Sequence, residues 1–290
     1  QWQKEKKQLL KVIDKTLASG SWVGGANIEK FERNICNFLK VKHCVALNSG
    51  TDALTLALSL VNVKKGDEVI TPPNSFIAST AAIAHLGAIP IFADVKEDQN
   101  IDPEDIEKKI SKKTKAIMPV HLSGKPCKME NIKILSKKYN IPIIEDAAQA
   151  IGTKYNNKFV GTFGVIGCFS AHPLKNLNAI GDSGYIVTNN SRLANKAKLL
   201  RNHGIENRNN IKTFGYVSRM DNLQAVVLNE RFKKLKKIIF KRRKNAALYF
   251  NYLNNLKSIK LPIEKKGEFS TYHTFVIKAE KRDQLKEYLN

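Results

Sequence analysis

Between residues 44 and 188, short apolar segments of strand character alternate with amphipathic helical stretches. The strand-like segments are Cys44–Leu47, Glu68–Thr71, Ile89–Asp94, Ala116–Val120, Ile141–Glu145, Gly167–Ser170 and Gly184–Thr188. Ser75–Leu86 and Met129–Tyr139 are two of the helical stretches between them. No other feature constrains the fold as much, because parallel neighbours need a long crossover and a helix supplies it. The pattern predicts an α/β layered domain with a mostly parallel, seven-stranded sheet. Upstream, Ile28, Phe31, Ile35 and Phe38 fall on one helical face. Downstream, a single helical pattern runs from about Met220 to Leu256, long enough to link two domains. Pro262 and Gly267 then punctuate a segment in which Tyr272–Lys278 reads as a strand and Arg282–Leu289 as a helix. The expected division is a large domain over residues 1–235, then a linking helix and a small C-terminal α+β domain over 236–290.

In open α/β sheets, ligands bind beyond the carboxyl ends of the strands, so residues just after strands carry the chemistry. Three motifs stand there. Asn48-Ser49-Gly50-Thr51-Asp52 follows the first strand and opens a helix. Free N–H groups at a helix start, with the Thr51 hydroxyl and the close approach that Gly50 permits, make a phosphate cradle. The same residues also read as a plain helix cap. Ile143-Ile144-Glu145-Asp146 is an apolar strand ending in a carboxylate. There Asp146 needs a cation or donor to offset its desolvation, unless it merely caps a following helix. Ser170-Ala171-His172-Pro173-Leu174-Lys175 and Gly181-Asp182-Ser183-Gly184 set Lys175 on an ordered turn between two strands. A lysine that forms a Schiff base needs such a held, desolvated position. His172 competes with it, but no Ser or Cys stands at a spacing that would make His172 a catalytic base.

A phosphate cradle, a strand-end Asp and a strand-end Lys, in this order, are what a pyridoxal-phosphate enzyme needs. The lysine holds the aldehyde, the carboxylate keeps the pyridine nitrogen protonated, and the helix start binds phosphate. Neither a dinucleotide loop nor a P-loop occurs, since the Gly161, Gly164 and Gly167 spacing fits neither.

With these motifs the sequence resembles the sugar-nucleotide aminotransferases of the DegT/DnrJ/StrS type, within the aspartate-aminotransferase-like fold (pyridoxal-phosphate fold type I). The resemblance spans almost the whole chain and includes Gly20–Gly25, Ser49–Leu54, Thr71-Pro72 with Phe76, Val120–Gly124, Arg201–Gly204 and Ser218–Ala225. It implies pyridoxal 5'-phosphate as cofactor, a keto-sugar nucleotide as substrate and glutamate as amino donor, in amino-sugar and cell-surface polysaccharide biosynthesis. It further implies that Lys175 carries the cofactor and moves protons, and that Asp146 pairs with the pyridine nitrogen. Gln149 would meet the ring hydroxyl side, Phe76 would stack on the ring, and Gly50, Thr51 and Ser170 would hold the phosphate. A homodimer with shared active sites follows from the same resemblance, while four widely spaced cysteines with no disulfide framework point to a reducing cytoplasm. Val217 stands where relatives often carry an Asn that reaches the neighbouring subunit's cofactor phosphate, so that contact is not expected here. Relatives continue beyond the position of Asn290, so the small domain is expected to be truncated. The alternative within the family is an enzyme acting on another keto substrate or a sugar dehydratase; dehydratases replace the lysine with His, so Lys175 favours transamination.

Charge points elsewhere at first. The net charge is +23, and residues 191–290 hold 24 basic against 8 acidic residues, with nine basic residues and no acid between Arg231 and Lys244. A nucleic-acid-binding face is one reading. The basic residues alternate with Phe232, Leu235, Ile238, Ile239 and Phe240 at helical spacing, which reads instead as a solvated helix face. Nucleic-acid binding also leaves Lys175 and Asp146 without a task. Cys36, Cys44, Cys127 and Cys168 are too far apart in sequence for a metal motif or a disulfide framework. No apolar run approaches the roughly 18 residues of a membrane span.

Overall fold

The β-patterned segments become strands β1 (His43–Leu47), β2 (Glu68–Thr71), β3 (Ile89–Phe92), β4 (Thr114–Ile117) and β5 (Ile144–Asp146) in a computed structural model that describes residues 2–290. A small hairpin, β6 (Lys154–Tyr155) and β7 (Lys158–Phe159), precedes β8 (Ile166–Ser170) and β9 (Gly184–Thr188). The helices of this region are α1 (Trp2–Ala18), α2 (Ala26–Leu39), α3 (Gly50–Leu60), α4 (Ile77–His85), α5 (Pro103–Lys109), α6 (Met129–Tyr139) and α7 (Ser191–Leu200).

The strands form a four-stranded sheet in the order β1-β9-β8-β5 and a three-stranded sheet in the order β3-β2-β4. Parallel bridges Ile117–Ile143 and Val120–Asp146 join the β4 and β5 segments. β2 runs parallel to β3 and β4, and β5 to β8, whereas β9 is antiparallel to both β1 and β8.

Period-two alternation builds three layers. Cys44, Ala46, Phe169, Tyr185 and Val187 pack on one side against Ile28, Phe31, Ile35 and Leu39 of α2. Their neighbours Val45, Leu47, Cys168 and Ile186 pack on the other against Leu54, Ala57 and Leu58 of α3. That second cluster also takes in Val69, Ala116 and Met118, so one apolar layer runs beneath both sheets. Ile70, Ile117 and Ile143 face the opposite way, toward Ile106 of α5 and Ile132 of α6.

Beyond α7 come the hairpin β10 (Ile205–Asn207) and β11 (Asn210–Ile211), then α8 (Asn222–Phe232) and α9 (Leu235–Leu253). The single long helix expected over 220–256 is therefore two. The chain turns at Lys233–Lys234, where the Lys234 N–H bonds to the Arg231 carbonyl, and Phe232 and Leu235 both reach the core beside α2.

The end of the chain holds β12 (Ile259–Lys260), β13 (Glu268–Phe269), β14 (Lys278–Ala279) and α10 (Arg282–Leu289). The strand expected over Tyr272–Lys278 is not formed; only Lys278 belongs to one, β14, which pairs with β12. The Thr271 and His273 N–H groups bond instead to the carbonyls of Gly124 and Ser123, and Tyr272 takes a positive φ of 46°.

The arginines of the basic run are structural. Arg231 is buried, pairs with Glu5 at 3.2 Å and donates to the carbonyls of Asn178 and Ala179 at 2.9 Å each. Arg242 donates to the Tyr272 and His273 carbonyls, and Arg243 makes a two-pronged contact with Glu264. Among the described residues no helix is long and apolar enough to cross a membrane.

Candidate active site

The site forms where β1, β5 and β8 end. Ser49 caps α3, its Oγ accepting from the Asp52 N–H at 3.0 Å, while the Ala53 N–H bonds to the Ser49 carbonyl. The Gly50 and Thr51 N–H groups at the helix start bond to nothing among the described residues. Gly50 sits against the end of β8, where a Cβ at its position would stand 2.7 Å from Ser170 Cβ. The sequence thus brings Gly50, Thr51 and Ser170 into one cradle, with the positive end of the α3 dipole facing it.

Asp146 is the last residue of β5 and is buried. Its Oδ2 accepts from Ser79 Oγ at 2.7 Å, and its Oδ1 accepts from the Ala148 N–H at 3.0 Å. No helix follows, so the helix-cap reading of Asp146 falls away. Among the described residues it makes no ion pair. Burial pushes its carboxyl above the ordinary range, against the pull of Ser79, Ala148, Lys175 and His121.

Lys175 stands on the turn between β8 and β9, its N–H bonded to the His172 carbonyl at 2.8 Å. The turn is tied down at both ends: the Ala171 N–H bonds to the Ser183 carbonyl, and Arg231 holds the carbonyls of Asn178 and Ala179. Burial lowers the Lys175 ammonium below its ordinary value, and the charge of Asp146 opposes that shift. His172 turns into its own loop, with Nδ1 accepting from the Leu174 N–H.

Phe76 precedes α4 and is 68% exposed, while the Ser79 N–H bonds to its carbonyl. The residue that binds Asp146 and the exposed ring therefore share the first turn of α4. Gln149 lies on the turn after Asp146, its Oε1 accepting from the Ser123 N–H at 2.7 Å.

Three contributors escaped the sequence reading. Ser79 is one; its place three residues after Phe76, on the same helical turn, was the available signal. Ser123 and His273 are the others; Ser123 lies within the Val120–Gly124 motif, and His273 had no signal. His273 comes from the C-terminal segment yet is close enough to Lys175 to feel its charge. Burial first, then Lys175 and Arg242, hold its imidazole down at about 4.

The family model described as the DegT/DnrJ/EryC1/StrS aminotransferase family matches residues 3–290. The chain belongs to this family. A relative in Acidithiobacillus ferrooxidans, UDP-N-acetyl-3-dehydro-alpha-D-glucosamine 3-aminotransferase, is 40% identical over 98% of this chain and 77% of its own length. The structure of DesV from S. venezuelae, in complex with a ketimine intermediate, superposes with a TM-score of 0.96 at 36% identity, covering 99% of this chain and 78% of that one. NtdA from Bacillus subtilis with bound PMP superposes at 0.91 with 35% identity, over 98% of this chain and 65% of that one. Membership in the aminotransferase family makes the chain a pyridoxal-phosphate-dependent transaminase.

Proposed function

We propose that this aminotransferase moves an amino group from glutamate to a keto-sugar nucleotide, with Lys175, Asp146 and the α3 cradle as its working parts. The observation that carries the reading is Asp146: a buried carboxylate at a strand end that makes no ion pair among the described residues, on the same sheet edge as a desolvated lysine and a helix start with free N–H groups. Each feature fits one part of pyridoxal phosphate. The Gly50 and Thr51 N–H groups, with the Thr51 and Ser170 hydroxyls, suit its phosphate, and the Asp146 carboxylate suits a protonated pyridine nitrogen. Phe76 offers a free ring face for stacking, and Gln149 an amide at the ring's oxygen side.

When bound, the cofactor supplies a carbonyl carbon for attaching amines and a ring that withdraws electrons. The protein does the rest. Lys175 Nζ would hold that carbon in the resting enzyme. When free of it, the Lys175 amine would take and return the proton at the carbon bearing the amine, and burial favours this by disfavouring the ammonium form. Asp146, its desolvation partly offset by Ser79 and the Ala148 N–H, would keep the ring nitrogen charged.

The two sheets read as one mostly parallel layer in the order β1-β9-β8-β5-β4-β2-β3, joined by the β4–β5 bridges and the shared apolar layer. Residues 1–235 then form the cofactor domain, and 236–290 the linking helix with a small domain. The exposed apolar side chains of Phe76, Leu174 and Val217, and of Phe214, which is 98% exposed, support a homodimer. A cytoplasmic location suits a sugar-nucleotide substrate.

Purified protein, loaded with pyridoxal phosphate and given glutamate and a panel of keto-sugar nucleotides, tests the reading. Release of 2-oxoglutarate matched by amino-sugar formation is the expected result. Amine-independent loss of a sugar hydroxyl would favour the dehydratase alternative.

A further inference from the structure

The C-terminal segment reaches the site through a single turn. Ser123 has φ 57° and ψ 14°, in the left-handed region that side chains enter at a cost. Its N–H donates to Gln149 Oε1 at 2.7 Å, and its carbonyl accepts from the His273 N–H at 2.9 Å. Its hydroxyl accepts from Thr274 Oγ1 at 2.8 Å. The next carbonyl, of Gly124, accepts from the Thr271 N–H at 3.0 Å and from Thr153 Oγ1 at 2.7 Å. Gly124 has φ 82°, and a Cβ there would stand 2.7 Å from Thr271 Oγ1 and 3.0 Å from the His273 nitrogen. Ser123 also lines a cavity of about 540 Å³, with Asn74, Lys125, Tyr272 and Thr274 among its other walls. On that side hydrogen bonds, rather than packing, hold the turn in place.

The Ser123 contact decides what Gln149 can offer. A side-chain amide has one acceptor oxygen and one nitrogen with two donor hydrogens. With Oε1 taken by the Ser123 N–H, the NH2 group is left for a ligand, and it matches an anionic oxygen. We propose that the Ser123–Gly124 turn is a positioning element through which Thr271–Thr274 sets the Gln149 amide, so that its NH2 group donates to the anionic ring oxygen of pyridoxal phosphate. The cofactor half of this statement rests on the reading of the site given above; the coupling of the turn to the C-terminal segment does not.

A donor on the ring oxygen stabilises its anionic form. Protonation of the nitrogen joining Lys175 to the cofactor is then pushed to lower pH, and losing the donor moves it up. The test uses the whole chain with Gly124→Ala, which drives the turn away from Thr271–Thr274, and Gln149→Leu, which deletes the amide. In the cofactor-free protein, Gly124→Ala should speed amide hydrogen exchange across both 121–125 and 271–274, and Gln149→Leu should speed it at Ser123. After loading with pyridoxal phosphate, the pH midpoint of the visible band should rise by about one unit in both variants, the scale of one charge-assisted hydrogen bond. Should Gly124→Ala not fold, Thr271→Val, which removes the 2.9 Å hydroxyl contact to Thr153, should shift both readouts in the same direction and less far. Unaltered exchange at 271–274 in Gly124→Ala overturns the coupling. Unaltered midpoints in both variants overturn the assignment of the NH2 group. Absence of a visible band in the parent, with the exchange changes present, overturns the cofactor reading and leaves the coupling standing.

Discussion

His121 Nε2 donates to Glu145 Oε2 at 3.0 Å, and both side chains are fully buried. The direction is fixed because the Cys127 N–H occupies His121 Nδ1 at 3.1 Å, leaving the proton on Nε2. The same carboxylate accepts from the Gly161 N–H at 2.7 Å and from the Phe163 and Gly164 N–H groups at 2.6 Å each. Four donors thus converge on the residue immediately before Asp146, and the 161–164 loop is pinned to β5. Glu145→Gln would turn an NH2 group toward those donors. It should lower stability by about 3 kcal/mol, the cost of leaving buried donors unpaired, read as a fall in the urea midpoint.

Lys175→Ala removes the only lysine on the β8–β9 turn that ends at the site. The variant should lose the visible band of the lysine-bound cofactor and its trapping by borohydride, while still binding phosphate in the α3 cradle. Borohydride labelling that persists at this turn would show that another residue holds the cofactor.

The pattern of strands and helices over 44–188 was legible because period-two and helical apolar spacing are local. Glu68–Thr71, Gly184–Thr188 and Met129–Tyr139 have the bounds read from sequence, Asp146 ends β5, and Lys175 lies on the turn between β8 and β9. The misread elements were settled by contacts distant in sequence. The 220–256 helix breaks because Phe232 and Leu235 both have to reach α2. The strand expected from Tyr272 does not form there because the turn at Ser123 offers two carbonyls to the N–H groups of Thr271 and His273. Ser79 was marked only by its helical spacing from Phe76, and His273 reaches the site from a loop position that no spacing rule marks.

His273 and Asp146 pull stability in opposite directions with pH. The unfolded chain takes up the His273 proton as pH falls through its ordinary 6.5, whereas the folded protein resists until about 4. Stability is therefore lost on acidification across that window. Asp146 is held above its ordinary 3.8, so the folded form binds its proton first and gains stability as pH falls toward that value. In urea unfolding of the cofactor-free protein, His273→Gln should flatten the loss between pH 6.5 and about 4. Asp146→Asn should raise stability at pH 7 and steepen the acid loss. A His273→Gln slope equal to the parent's would sink the His273 assignment.

Gly50 and Ser170 meet so closely that the cradle tolerates no side chain at position 50. A Cβ there would lie 2.7 Å from Ser170 Cβ, closer than real atoms sustain, and a tight 3.2 Å from Ser170 Cα. Gly50→Ala should push the start of α3 away from the end of β8 at a stability cost of about 1–3 kcal/mol. Displaced N–H groups should weaken pyridoxal phosphate binding at least about tenfold, since charge-assisted contacts of this kind contribute roughly 1.5–3 kcal/mol each. Ser170→Gly deletes the Cβ that causes the clash and should recover most of the lost stability when combined with Gly50→Ala. It should recover less of the affinity, because the Ser170 hydroxyl is itself part of the cradle. Equilibrium titration with the cofactor and urea unfolding of the two single variants and the double variant separate these effects. Additive losses in the double variant, with no recovery of stability, would show that crowding against Ser170 is not why position 50 is glycine.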